Sequence, residues 1–513
     1  MKKVIIIIFG VLIHLLPTFA QKETAIWHFG RYSGMDFNQL KTVTNATING
    51  VANQTITGVP TFVPGPINTY EGCFSICDKD GNLLFSSDGR FVYDKNGTRM
   101  PHGSGLKGDA SATQSGIVIP RPGSPNRYFI ITAPAGEGPR NPLHYYEVDM
   151  TLNGGKGDVI GPYTGMIPNG TFLTFPSSHY INTEAYENVA AVGHANGKDF
   201  WLAHRCRNQF YIWLVTKDGI SQHPTKSFAI GSDPGSIFVS HYVVPGYLKF
   251  SSDGKYIAVS NSMVAKTLHI AKFDTNTGDI SDIKQKVVPI QPYGISFSPS
   301  NKYLYYTHTY TGPLYRISVD KLMNGIAETP TLIAAEIANI QVSADNRMYG
   351  IVSYWHTPAT SDRLYILDDL DEATPTIAYI PNYFNKTTNG SHLSLPTFTS
   401  SFFALQDLEM TPPNGCSNQE LTFSAQINAG TGLNAITKIE WDFGDGTPIV
   451  SDTNMNQLVH TQKHTYSEAG KYTFKLTPYK ADGSVLTEKI KTEEIVVGSC
   501  MIPANHNITN MGY

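Results

Sequence analysis

A chain of 513 residues with 38 Lys+Arg against 42 Asp+Glu carries a formal net charge of −4. Charged residues are only 16% of the chain, hydrophobic ones 41% and aromatics 11%, which excludes a disordered chain and argues against nucleic acid binding, since that needs clustered Lys and Arg. The 45 Gly, 31 Pro and 28 Tyr point to a turn-rich β protein, with length for about three domains unless one large β unit takes most of it.

The first element is an address. Lys2 and Lys3 precede an apolar run over residues 4–16, then Pro17 and the small residue Ala20. This pattern predicts a Sec signal peptide over residues 1–20, cut after Ala20. The run falls short of the roughly 20 apolar residues of a transmembrane helix, and no later segment is apolar enough to span a bilayer. Gln21 is not Cys, which argues against a lipoprotein anchor. The expectation is an exported protein without an integral membrane span, extracellular or at the cell surface, with the periplasm as the alternative.

Export permits disulfides. The five cysteines are Cys73, Cys77, Cys206, Cys416 and Cys500. Cys73 and Cys77 lie four apart on one predicted strand, about 13 Å from each other and too far for a direct bridge. Either could pair with Cys206. Cys416 and Cys500 bracket a compact C-terminal segment and form the expected disulfide.

Most of the chain is a repeat. Asp80-Gly81, Pro125-Asn126, Asn196-Gly197, Asp253-Gly254, Ser300-Asn301 and Asp345-Asn346 each lead into an aromatic or apolar strand. Asn and Gly tolerate the positive φ of tight hairpin turns. Each strand is followed by a hairpin mate, at residues 90–93, 143–146, 210–213, 267–270, 314–317 and 363–366. A single sheet of this kind cannot bury both faces, so the copies must stack around an axis as propeller blades. Residues 24–37 and 391–403 are strand-like orphans at the two ends. Sharing a closing blade would remove an open edge. The predicted fold is all-β: a seven-bladed β-propeller over residues 21–409, with a β-sandwich array as the alternative.

Phe250-Ser251-Ser252-Asp253-Gly254-Lys255-Tyr256 and Phe297-Ser298-Pro299-Ser300-Asn301-Lys302-Tyr303 resemble the blade motif of TolB-like and other WD40-like propellers. Trp27-His28-Phe29-Gly30, Gly34-Met35-Asp36-Phe37, Glu71-Gly72-Cys73 and Leu395-Pro396-Thr397-Phe398 resemble exported propeller proteins of Bacteroidetes. The resemblance implies a fold and says little about activity.

After Pro412-Pro413-Asn414-Gly415 a new unit begins, assigned to residues 410–500. Glu440-Trp441-Asp442-Phe443-Gly444-Asp445-Gly446-Thr447, His464-Thr465-Tyr466 and Ala469-Gly470-Lys471-Tyr472-Thr473-Phe474 resemble the signature elements of PKD domains. That implies an Ig-like β-sandwich, and the alternation of Tyr472, Phe474 and Leu476 agrees with it. A bridge between Cys416 and Cys500 would tie its ends. Asp442 and Asp445 are the candidate calcium ligands, against the plainer reading that they close Asx turns. Residues 501–513 form a tail with no sorting domain expected in it.

No GxSxG, HExxH or GxxxxGK[ST] motif is present, and no catalytic or metal-ligating residue is assigned. No cofactor is expected beyond the calcium candidate. The candidate binding residues are His102, Ser104, Asp109 and Gln114, on a small polar loop between two blades, and the adjacent His204 and Arg205. Their plain alternatives are a blade crossing and a blade edge. His194 with Asp199, and the pairs Asp368-Asp369 and Asp371-Glu372, read as turns. The leading functional expectation is a non-catalytic binding or adhesion protein that recognises a glycan or a cell-surface protein. The alternatives are a structural component of a surface or secretion assembly, and a propeller enzyme acting on a polysaccharide or lactone.

Overall fold

The structure is a computed structural model that describes residues 22–499 apart from 137–140, 165, 175–184, 231–245, 263–265, 309–311, 354–357, 386–391, 394, 404–408, 412, 414, 427–435, 454–458 and 481–482. The signal peptide expectation, Cys500 and the C-terminal tail lie outside the described residues.

Six consecutive blades each carry four antiparallel strands in chain order, beginning at residues 74, 116, 190, 248, 292 and 339. The turn-led strands of the sequence repeat are the second strand of each blade, and their hairpin mates are the third. The first strands are short and buried. They are taken here with the N-terminal strands, in chain order: β1 (Ile26–Phe29), β2 (Ser33–Ile48), β3 (Val51–Phe62), β4 (Phe74–Cys77), β5 (Gly116–Pro120), β6 (Ala190–Gly193), β7 (Leu248–Phe250), β8 (Pro292–Phe297) and β9 (Asn339–Val342). All four residues of β4, all three of β7, all six of β8 and all four of β9 are buried.

The seventh blade closes the ring from both ends of the propeller. β1, β2 and β3 form its antiparallel outer part. Its inner place is taken by residues 395–399, which pack beside β1 with Trp27 and Phe398 rings 5.6 Å apart. This inner piece is not the strand expected from sequence. It makes no ladder and runs into a short 3-10 turn, Ser400–Phe403. Pro396 offers no N–H, and the N–H of Thr397 donates to the Cys73 carbonyl of the neighbouring blade at 2.8 Å. The far end of the β2–β3 hairpin reaches across to the outer strand of blade 6, pairing Thr47 with Tyr379 and Ile48 with Ala378.

Each blade buries both faces against its neighbours, which is why the repeat cannot stand as a single copy. Apolar clusters fill the gaps in turn. Examples are Phe74, Phe85, Val118 and Ile130 between blades 1 and 2, and Ile257, Val259, Ile212 and Ala203 between blades 3 and 4. Trp27, Phe29, Tyr349 and Ile366 fill the gap between blades 6 and 7.

The C-terminal unit is a two-sheet sandwich. One sheet is Glu409–Thr411, Glu420–Gln426 and Val459–Thr465. The other holds Gly415–Cys416, Lys491–Gly498, Gly470–Tyr479, Lys438–Asp442 and Val450–Asp452. Trp441, Phe423, Phe474 and Tyr466 form its core, and the Tyr466 hydroxyl donates to the Phe443 carbonyl at 2.9 Å.

Cys73, Cys77 and Cys206 are buried thiols outside any disulfide, so none of them is bridged to another. Burial pushes the Cys77 thiol up to about 12. Cys416 lies opposite Gly498 in a parallel pair, and its expected partner, Cys500, lies outside the described residues.

Candidate functional site

The chain enters every inner strand from one face of the ring. The residues at these entries are hydrogen-bonded to one another right round the axis. Gly72 N–H donates to the Ala112 carbonyl (2.8 Å), and Gln114 N–H to the Glu187 carbonyl (2.9 Å). The Gln114 side chain carries the circuit over two blades. Its Oε1 accepts from Leu248 N–H (2.8 Å) and Val189 N–H (3.4 Å), and its Nε2 donates to the Leu248 carbonyl (3.2 Å). Tyr247 N–H donates to the Tyr293 carbonyl (3.3 Å). Asn339 Nδ2 donates to the Tyr247 hydroxyl and to the Leu393 carbonyl, each at 2.6 Å. Leu393 N–H returns to the Tyr70 carbonyl at 2.9 Å.

Three of the six sequence candidates meet here. Gln114, His204 and Arg205 are all buried and joined through Asn188 and Val189. The Asn188 side chain accepts from Arg205 N–H (2.8 Å) and donates to its carbonyl (3.0 Å). His204 Nδ1 bonds the Asn188 carbonyl at 2.6 Å. Burial lowers His204 to about 3, so the ring is neutral and Nδ1 is the donor. The Arg205 guanidinium lies 5.2 Å from the centroid of the half-buried Tyr186 ring. Asp109 sits on the same crossing, where its carboxylate accepts from Ser111 N–H at 2.8 Å in an Asx turn.

The other two lie elsewhere. His102 and Ser104 belong to the outermost strand of blade 1, Arg99–Ser104. His102 bonds Asp158 (2.7 Å) and stacks on Tyr163 at 4.1 Å. His194 and Asp199 form an exposed turn with Asn196. Asp368 pairs with Arg347 at 2.9 Å, and Asp371 accepts from Ser300 N–H.

Sequence reading did not single out Glu187, Tyr247, Tyr293, Tyr70 or Tyr32. Glu187 accepts from Thr113 N–H (3.0 Å), Thr113 Oγ1 (2.9 Å) and Gly136 N–H (2.6 Å), so its carboxylate braces the entry to blade 3. Tyr247 and Tyr293 are buried with rings 5.5 Å apart. Burial, with the charges of Glu71 and Glu187 nearby, holds the Tyr293 phenol protonated. Two tyrosines face outward: Tyr70 is 55% exposed beside His392 (5.2 Å), and Tyr32 is 46% exposed. Tyr32 has φ of 56°, a left-handed conformation that costs a bulky residue roughly 1–2 kcal/mol. It is held there by its N–H to the Ile67 carbonyl and by Gly65 N–H to its own carbonyl. The signal that could have found them is positional: each of Tyr70, Glu187 and Tyr247 stands a few residues before a short apolar strand.

At the opposite face the closing segment bonds two inner strands. Thr399 Oγ1 donates to the Val118 carbonyl (2.9 Å) and Ser401 Oγ accepts from Gly193 N–H (3.1 Å), so the chain crosses beneath the inner strands there.

In the C-terminal unit, Asp442 accepts from Gly444 N–H (3.0 Å). Asp445 accepts from Thr447 N–H (3.1 Å) and from His464 Nε2 (2.7 Å). Both close Asx turns. The His464 ring stacks on Phe443 at 4.1 Å, so the signature residues form one structural clamp.

Residues 407–495 match the family model described as the PKD domain. No curated protein matches the chain. Solved structures similar to it include a protein from Lactobacillus plantarum, 12% identical, covering 72% of this chain and 98% of that one with a TM-score of 0.39. The Cps50 (Swd1) β-propeller domain of Myceliophteria thermophila is 11% identical over 64% and 94%, with a TM-score of 0.37. A protein named as a 6-phosphogluconolactonase from Bacteroides uniformis is 14% identical over 84% and 98%, with a TM-score of 0.35. The chain is a β-propeller followed by a PKD domain. No helix among its described residues is long and apolar enough to cross a membrane.

Proposed function

We propose that this chain is an exported, non-catalytic binding protein whose strand-entry face recognises a glycan. The observation that carries the reading is the pairing of a braced polar ring with outward tyrosines. Tyr70 and Tyr32 offer ring faces beside Glu71 and Arg31, while Gln114, Glu187 and His204 are committed to holding the blade entries. Aromatic faces bordered by polar groups suit sugar rings, which present C–H surfaces and hydroxyls together. A carboxylate already taking three donors and a histidine kept neutral by burial are poor general acids or bases. The PKD domain serves as spacer or second contact.

The test is binding of purified residues 21–513 to a broad glycan array with calcium present. Reproducible capture of one polysaccharide class supports the reading, and incubation with that glycan then checks for turnover. Cleavage would move the protein to the enzyme reading. A blank array would shift the assignment to a protein partner or a structural assembly.

A further inference from the structure

The opposite face of the ring holds a small cavity of about 30 Å³ between the inner strands of blades 4, 5 and 6 and the chain that crosses beneath them. Its polar lining is Lys249, Ser252, Ser296, Ser298, Gln341 and Ser400. Lys249 is 9% exposed, on β7. Its ammonium donates to Gln341 Oε1 and lies 5.7 Å from the Tyr247 ring centroid. Among the described residues it has no carboxylate partner, and burial alone lowers it to about 7. An ammonium carries three donors, and Gln341 takes one. The Ser298 hydroxyl accepts from Tyr303 N–H at 3.0 Å, which leaves its own proton free to donate. Among the described residues the lining therefore offers one amine, the Ser298 hydroxyl proton and no carboxylate, while Ser296 Oγ is turned to the Phe297 carbonyl at 3.5 Å. The aromatic rings of Phe250, Phe297, Phe398 and Phe403 complete its wall.

A space of this size admits a water or a single atomic ion. A buried ammonium is costly without a counter-charge, and the cavity that Lys249 lines is where one would sit. We propose that this cavity binds a small monovalent anion of halide size, held by Lys249 and the serine hydroxyls. The bound anion fastens the closing segment, through Ser400, to the inner strands of three blades. This site is separate from the strand-entry face, and its test does not depend on the glycan reading.

The test uses the whole chain and two measurements. Crystals soaked in about 0.5 M bromide should show an anomalous peak in the cavity within hydrogen-bond reach of Lys249 Nζ. In solution, chloride or bromide should raise the thermal midpoint of the wild type relative to sulfate at the same ionic strength by more than in Lys249→Met, which reads the general effect of each salt. Clear maps without a peak, or a halide effect that is equal in the two proteins, overturn the proposal. A bromide peak with no halide-specific response in solution means binding at crystal concentration only, and overturns it as well.

Discussion

At the scale of single residues, burial sets the protonation states that govern pH stability. His28, His269 and His392 are lowered to about 4 and His204 to about 3, in each case chiefly by burial. Their folded values lie below the ordinary 6.5, so the unfolded chain binds more protons between those limits. Stability should fall as pH drops from 6.5 to about 4, by up to about 1.4 kcal/mol per pH unit for each group. Asp345 works in the opposite sense. Burial raises it to about 6, and raises Glu23 and Asp368 as well, so their contributions are larger in acid, but His144 and His308 are also lowered by burial and the histidines outweigh the three carboxyls. Urea midpoints at pH 7.0 and 4.5 check the net sign; a higher midpoint at pH 4.5 would refute it. Lys249, lowered from 10.5 to about 7, gives the unfolded chain the extra proton in between. In halide-free buffer the wild type should therefore gain stability from pH 7 to 8.5 relative to Lys249→Met. Equal slopes for the two proteins would show that the amine is not desolvated. None of this was legible from sequence, because Lys249 and the histidines look like ordinary polar residues until the blades pack around them.

At the scale of elements, the turns were readable and the inner strands were not. Asn301 and Asn346 adopt φ of 62° and 65°, and Gly81, Gly197 and Gly254 are also at positive φ, as the Asn and Gly pattern requires. The inner strands are buried on every side, so they show no alternation. β6 is simply Ala-Ala-Val-Gly, with nothing to mark it. Residues 391–403 looked strand-like from sequence, yet the hydrogen bonds of Leu393, Thr397 and Thr399 go to Tyr70, Cys73 and Val118 of neighbouring segments instead of a ladder. Phe398→Ala should remove the contacts with Trp27 and Phe403 and cost about 3–5 kcal/mol, measured by denaturant unfolding. A cost under about 1 kcal/mol would mean that the closing piece is not part of the core. Gly72 explains the Glu71-Gly72-Cys73 motif. A Cβ there would lie 2.0 Å from Ser115 N, so the entry to blade 1 has no room for a side chain. Gly72→Ala should cost about 1–3 kcal/mol or more, because the obstacle is backbone. An unchanged urea midpoint would contradict the close approach.

At the scale of the whole molecule, two folding units follow one another on the chain, and each has its own core. The pairing of Cys416 with Cys500 is a proposal for the second unit. Non-reducing peptide mapping should recover one bridged peptide containing both, and free Cys73, Cys77 and Cys206 after unfolding. Recovery of Cys416 as a free thiol would contradict it. The ring geometry separates the candidate residues in a way that spacing along the chain could not. His102 and Gln114 are twelve positions apart, yet one lies on an outer strand and the other at the axis. The outward tyrosines were missed for a similar reason, since only the β1–β2–β3 meander folding back on itself brings Tyr32 beside the segment that leads to Tyr70.

The most direct test of the entry-face account is calorimetric titration of the captured oligosaccharide against wild type, Tyr70→Ala and Tyr163→Ala. Tyr163 is 37% exposed and stacks on His102 at the outer edge, so it serves as the matched control. The account predicts about a tenfold weaker Kd, or about 1.4 kcal/mol, for Tyr70→Ala and no change for Tyr163→Ala. Loss of binding in Tyr163→Ala with Tyr70→Ala unaffected would place recognition at the outer edge and contradict the account.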